Sequence, residues 1–208
     1  MGRRSDHSRD ELRTLILDAG QTLMAEVGFA DFSAREVAKR IGYSIGTIHN
    51  VFGNVDGLVT AINTATFGEW ADALEASLAP DPQDRIAALV EAYFRFARDN
   101  PRRWAAIYDH RPAAETLTPA QQDTRGRLMR IVVGEVAAVL GRAPDEAIGT
   151  LARSLVATVH GHCSFAVTGS WAAMGQTDVE AVALARVRES LAATGSTPKA
   201  IPDRKVMP

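Results

Sequence analysis

Apolar residues in this chain return at helical spacing wherever they return at all. Leu12, Leu15, Ile16, Ala19, Leu23 and Val27 fall on one stripe of residues 8–27. Val37, Ala38 and Ile41 share a face, and so do Ile48, Val51 and Phe52. Polar residues punctuate these stripes. Ser8–Glu11, Ser33–Glu36 and Thr177–Glu180 read as capping boxes, in which a hydroxyl takes the N3 amide and the carboxylate reaches back. Asp81-Pro82, Asn100-Pro101 and Thr118-Pro119 each pair an N-cap residue with proline at the first helical position. No alternating strand pattern and no hairpin signal between plausible strands interrupts the series. The pattern predicts an all-α chain of nine helices: 8–27, 34–41, 45–51, 55–78, 84–99, 102–111, 119–140, 145–169 and 178–193. The fourth would be about 36 Å long at 1.5 Å per residue.

Residues 33–58 carry the densest information. Gly42 supplies a residue free to take positive φ where one short helix must stop. A second helix, starting at Ser44 or Ile45, then turns Ile48, Val51 and Phe52 inward and Ser44, Thr47, His49 and Asn50 outward. Small Ala38 at the crossing and β-branched Ile48 complete the layout of a helix-turn-helix. Any helical corner needs a glycine and some apolar residues; several such features in register favour the DNA-reading interpretation. The expected organisation is a helix-turn-helix DNA-binding domain over 1–53, a larger helical domain over 54–194, to which the family resemblance described below assigns ligand binding and dimerisation, and a flexible tail over 195–208.

Bulk properties constrain rather than identify. The 208 residues are 46% hydrophobic and 23% charged, the balance of a globular chain. The polar opening and the lack of any long apolar run predict no signal peptide and no membrane span. A single cysteine, Cys163, suits a reducing cytoplasm. Residues 1–57 hold seven Arg/Lys against eight Asp/Glu, so phosphate attraction in the head is thin. Arg3/Arg4 and Lys39/Arg40 are its local basic pairs, the first a possible minor-groove arm.

The helix ending at Val27-Gly28-Phe29, the segment Ser33 to Gly42, Ser44-Ile45-Gly46-Thr47-Ile48, Asn50-Val51-Phe52 and Asp56-Gly57-Leu58 together resemble the TetR family of bacterial transcriptional repressors. Val159-His160-Gly161, with Phe165 and Gly169 downstream, is similar to a C-terminal domain type of that family with a Trp-His-Gly signature, valine standing in the tryptophan position. Asn100-Pro101 followed by Trp104, Ile107 and Tyr108 is similar to the short aromatic helix of the same type. The chain departs from the family at two places: His49 replaces a customary tyrosine, and Val55 a frequent lysine, both phosphate contacts in the family. Histidine can still donate a hydrogen bond; valine cannot.

The resulting site expectations are specific. Ser33, Arg35, Ser44, Gly46, Thr47, His49 and Asn50 are the candidate DNA contacts. Asn suits adenine, Thr a phosphate or thymine methyl, and the helix start at Ser33 and Arg35 a phosphate. Phe94, Trp104, Tyr108, His110, Met129, His160 and Phe165 are candidates to line an apolar pocket, although each taken singly is more often core. His160 and Cys163 share a helical face, but two ligands do not make a zinc site, so neither metal nor cofactor is expected. No G-x-S-x-G, P-loop, H-E-x-x-H or paired-carboxylate arrangement points to an enzyme. Small residues on 145–169 and 178–193 (Gly149, Ala152, Ala157, Gly161, Ala166; Ala181, Ala183, Ala185) permit close helix approach. The resemblance implies a homodimer through these last two helices.

Together these readings predict a cytoplasmic repressor that binds a near-palindromic operator in double-stranded DNA and answers to a small, largely apolar effector. The alternative is a helical ligand-binding or sensor protein with weak or lost operator binding, toward which the neutral head and Val55 point.

Overall fold

A computed structural model of the chain describes residues 7–79, 81–112 and 117–195. Arg3, Arg4 and the tail from 196 onward lie outside the described residues. Ten helices and no strand are present among the described residues: α1 (Arg9–Val27), α2 (Ala34–Arg40), α3 (Ile45–Phe52), α4 (Val55–Leu78), α5 (Arg85–Asp99), α6 (Pro101–Asp109), α7 (Pro119–Val139), α8 (Glu146–Val167), α9 (Ser170–Ala173) and α10 (Val179–Gly195). The one helix without a counterpart in the expected nine is α9, a single turn that starts after Gly169 takes a left-handed conformation. The expected 145–169 helix therefore ends at Val167, and α10 runs on to Gly195.

Caps decide where the helices begin, and four differ from expectation; one is Asn100, which precedes Pro101 but makes no side-chain cap, its Oδ1 accepting from Arg103 Nη2 at 2.7 Å. Ser8 forms the full reciprocal box with Glu11. Ser33 accepts from the Glu36 amide, but the Glu36 carboxylate turns to Arg40 and Lys39 instead of back to Ser33. Asp81-Pro82 does not open α5; Asp84, accepting from Ala87 N at 2.8 Å, does, while Asp81 takes a positive φ and pairs with Arg85. At α10 the capping oxygen belongs to Asp178, one residue after Thr177. Thr118 forms a reciprocal box with Gln121 ahead of Pro119, stronger than the hydroxyl cap expected there.

The chain packs as two compact units, 1–131 and 132–208. In the first, Ile16, Leu23, Met24, Val37, Ala38 and Ile48 of the three-helix head share one core with Leu58, Val59 and Ile62 of α4 and Ala106 of α6. Gly20 on α1 lets this happen: a Cβ there would lie 2.7 Å from Ile62 Cδ1. Farther along α4, Trp70 stacks on Phe96 at 5.5 Å and meets the edge of Tyr93 at 4.6 Å; Trp104 and Tyr108 extend the aromatic cluster. In the second unit α8 and α10 pack on each other through Gly149, Ala152, Leu155, Val159 and Cys163 against Val179, Ala183, Val187 and Leu191.

The corner between α3 and α4 is the tightest place in the fold. Asn54 caps α4 by accepting from Gly57 N at 2.7 Å, and a Cβ on residue 57 would lie 2.1 Å from the Phe52 carbonyl oxygen. Backbone cannot yield as a side-chain tip can. Gly57→Ala is expected to cost about 1–3 kcal/mol of stability, as overpacking typically does, read as a lowered midpoint in urea unfolding. An unchanged midpoint would contradict the closeness of this corner.

Candidate nucleic-acid interface

The helix-turn-helix is built by one turn and one anchored helix. α2 ends at Arg40 with Ile41 as its C-cap; Gly42, with φ 75°, lets the Gly42 amide reach the Lys39 carbonyl and the Tyr43 amide reach the Ala38 carbonyl at 2.9 Å. These are the paired bonds of a Schellman stop. The chain then re-enters a helix after Ser44. Ile48 is fully buried in the core that the head shares with α4 and α6, with Ile45, Val51 and Phe52 packed partly against it. This fixes the rotation of α3 and leaves its opposite side in solvent.

That side carries most of the expected contacts. Ser44, Gly46, His49 and Asn50 are exposed, and Thr47 is half-buried. Ser44 Oγ and Thr47 Oγ1 lie 3.3 Å apart, so the two hydroxyls form one polar spot at the start of the helix. A Cβ at Gly46 would make only an ordinary contact with Ser44 Oγ, at 3.5 Å. Ser33 and Arg35 stand exposed at the start of α2, and Arg35 has no hydrogen-bonding or ionic partner among the described residues. α3 itself contains no acidic residue.

The charge around this face is largely compensated from within. Arg40 donates to Glu26 at 2.6 Å and also meets Glu36 at 3.5 Å. The same hydrogen bond holds Glu26 below the ordinary carboxylate value and Arg40 above the ordinary guanidinium one. Arg13 lies over the Phe52 ring at 4.6 Å. Lys39 reaches out to solvent, 3.9 Å from Glu36. Val55 is 40% exposed at the first position of α4 and offers no polar group.

The expected effector residues fall in different surroundings. Phe94 and Trp104 are buried in the first unit, and Tyr108 is half-buried with its hydroxyl 3.2 Å from that of Tyr93. His110 is buried, its Nε2 2.7 Å from Asp56 Oδ1 and its ring against Phe29. It thus joins the end of α6 to the first turn of α4. Met129 is half-buried on α7. His160 and Phe165 belong to the second unit: burial pushes the His160 pKa down, and Phe165 is exposed beside Trp171.

Comparison with known proteins agrees with this arrangement. The family model described as bacterial regulatory proteins, tetR family, matches residues 16–62, and the one described as tetracyclin repressor-like, C-terminal domain, matches residues 86–189. A helix-turn-helix-type transcriptional regulator of Mycobacterium tuberculosis is 25% identical over 112 residues, which cover 52% of this chain and 47% of that protein. The chain spans about half the length of the curated relatives it first matches. Among solved structures, a protein from Rhodococcus sp. RHA1 superposes with a TM-score of 0.69 at 22% identity, over 92% of this chain and 98% of that one. The multidrug binding protein EbrR, solved with imidazole, gives 0.61 at 24% identity, over 89% and 96%. With both halves of the family matched in order, and the C-terminal match alone covering half of the sequence, this chain belongs to the TetR family of bacterial regulatory proteins.

Proposed function

We propose that this chain is a homodimeric transcriptional repressor of the cytoplasm, with residues 1–53 as its DNA-binding domain and 54–194 as its effector-binding and dimerisation domain. The observation that carries the proposal is α3: one face locked by Ile48, the other exposed, polar and free of carboxylates. Each subunit sets this helix in a major groove, at half-sites about one turn (~34–36 Å) apart on a near-palindromic operator. Ser33 and Arg35 at the start of α2 hold a flanking phosphate, while Thr47 and Asn50 read base edges. Family membership places the chain among regulators rather than enzymes. Of the small residues on the last two helices, Gly149, Ala152 and Ala183 are used within the chain, while Ala157, Gly161 and Ala181 are exposed and available to a second subunit. No helix among the described residues is long and apolar enough to cross a membrane.

A small, largely apolar molecule is the effector in this reading; that a similar fold takes a small molecule at all is supported by EbrR, a multidrug binding protein solved with imidazole. It shifts operator affinity to the extent that it binds one state of the protein more tightly. The second reading, a sensor with weak operator binding, is favoured by the locked Arg40 and the apolar Val55.

Fluorescence anisotropy with DNA from upstream of the chain's own gene tests the proposal. Thr47→Ala and Asn50→Ala are expected to lose about 1–3 kcal/mol of discrimination between operator and scrambled duplex, with helicity unchanged. Equal discrimination in both variants would remove these residues from the readout. A salt series separates the two readings. Glu26→Gln together with Glu36→Gln removes both carboxylates that hold Arg40 and is expected to steepen the log affinity–log salt slope by about 0.9 for each phosphate gained. A flat slope in both proteins would support the sensor reading.

A further inference from the structure

Of the five histidines, His49 is the one whose ring is committed to nothing among the described residues. His7 lies beside Tyr43, His110 meets Asp56, and His162 bonds the Thr158 carbonyl and stacks on Trp171. His160 is half-buried and engaged on α8. His49 is exposed and makes no side-chain hydrogen bond, ion pair or ring contact among the described residues. It is also the only titratable side chain on α3, IGTIHNVF.

The packing of α3 decides where that ring stands. Successive residues of a helix turn by about 100°. Counted from the fully buried Ile48, Gly46 and Asn50 lie almost opposite the core, and His49 stands about 100° round, on a flank. Recognition helices meet base edges with their N-terminal residues, whereas His49 belongs to the last turn of α3. A helix about 10–12 Å wide with its side chains fills a major groove about 12 Å wide. A flank position late in such a helix therefore faces a wall of the groove, and the wall is phosphate.

No neighbouring group competes for this ring. α3 packs on α1, α2 and α4. Glu26 of α1 and Glu36 of α2 are held by Arg40, and Asp56 of α4 by His110. The remaining acids of α1, Asp10, Glu11 and Asp18, border a cleft that no α3 residue lines. Arg13 covers Phe52, while Arg9, Arg35 and Lys39 stand in solvent. A cation in the last turn of a helix is favoured by the carbonyls there, and an imidazole gains its charge between about pH 5 and 8. In a head with seven basic residues against eight acidic ones over 1–57, one proton per subunit changes the balance.

We infer that operator binding by this chain is linked to the uptake of a proton at His49, so that the regulator holds its operator more tightly as the pH falls. This rests on the reading of α3 as a recognition helix and adds a regulatory input to it. The sign follows from the phosphate. It stabilises the imidazolium, so the bound protein keeps the proton to a higher pH than the free protein does. Affinity rises as pH falls through that window and is level on either side of it.

The test is anisotropy of the full chain with DNA from upstream of its gene, from about pH 8 to about pH 5.5 at fixed ionic strength. Since one unit of displacement is tenfold, the wild type is expected to gain about threefold to tenfold in affinity per subunit engaged. Its log affinity–log salt slope is expected to be steeper at the acid end by about 0.9 for each His49. H49Q is expected to lose both effects, and H49R to bind tightly with the steep slope at every pH. H7Q, which removes the other histidine of the head, is expected to behave as wild type. Both His49 variants are expected to melt at the wild-type temperature, because the ring touches nothing; a clear drop in both marks His49 as structural and overturns the inference. A pH dependence kept in H49Q or lost in H7Q overturns it too, as does a salt slope that ignores pH. Operator binding that is flat in pH removes this inference alone. No operator binding at about pH 5.5 and low salt removes the DNA reading and this inference with it.

Discussion

The DNA-binding head has no core of its own, and most of the first unit follows from that constraint. Ile16, Leu23, Val37 and Ile48 close around Leu58 and Ile62 of α4 and Ala106 of α6. Full burial of a Leu or Ile is worth roughly 1.5–3 kcal/mol, so three short helices without these partners would be marginal. Polar contacts tie the same junction. Asn63 donates to the Ala106 carbonyl at 2.9 Å, Arg103 holds Glu69 together with Gln21, and Arg102 donates to the Ala25 and Glu26 carbonyls at the end of α1. The last of these sets a cation where a helix leaves its carbonyls unpaired.

How much of this was legible in the sequence divides by range. The stripes of α1 to α3, the stop at Gly42 and the proline starts of α6 and α7 are local signals, and each is found where the spacing puts it. Local signals fail where two candidates compete. Asp84, two residues after Pro82, caps α5 in place of Asp81, and Asp178 displaces Thr177 by one residue. The reciprocal half of the Ser33 box is lost because Glu36 finds Arg40 one turn on. Contacts between distant residues leave no mark on periodicity: His110 with Asp56, Arg103 with Glu69 and Arg125 with Thr64 are separated by 54, 34 and 61 residues. Among the expected effector residues, His110 carries the clearest positional role, and it is one the sequence could not supply.

Electrostatics in the head are arranged for internal order before attraction. Arg40 is spent on two carboxylates and Arg13 on an aromatic ring, leaving Arg35 and Lys39 as its outward cations on α2. Binding of DNA by such a surface depends on hydroxyl, amide and backbone donors, whose hydrogen bonds are directional, more than on diffuse charge.

Gly20 has a consequence for modularity. α1 touches Ile62 closely enough that a side chain at residue 20 would have to displace its Cδ1, so the head and α4 are fitted to each other in this chain. Exchange of residues 1–53 between relatives would need the residues equivalent to Leu58, Ile62 and Ala106 to travel with them, and the unit inherited together extends into α6.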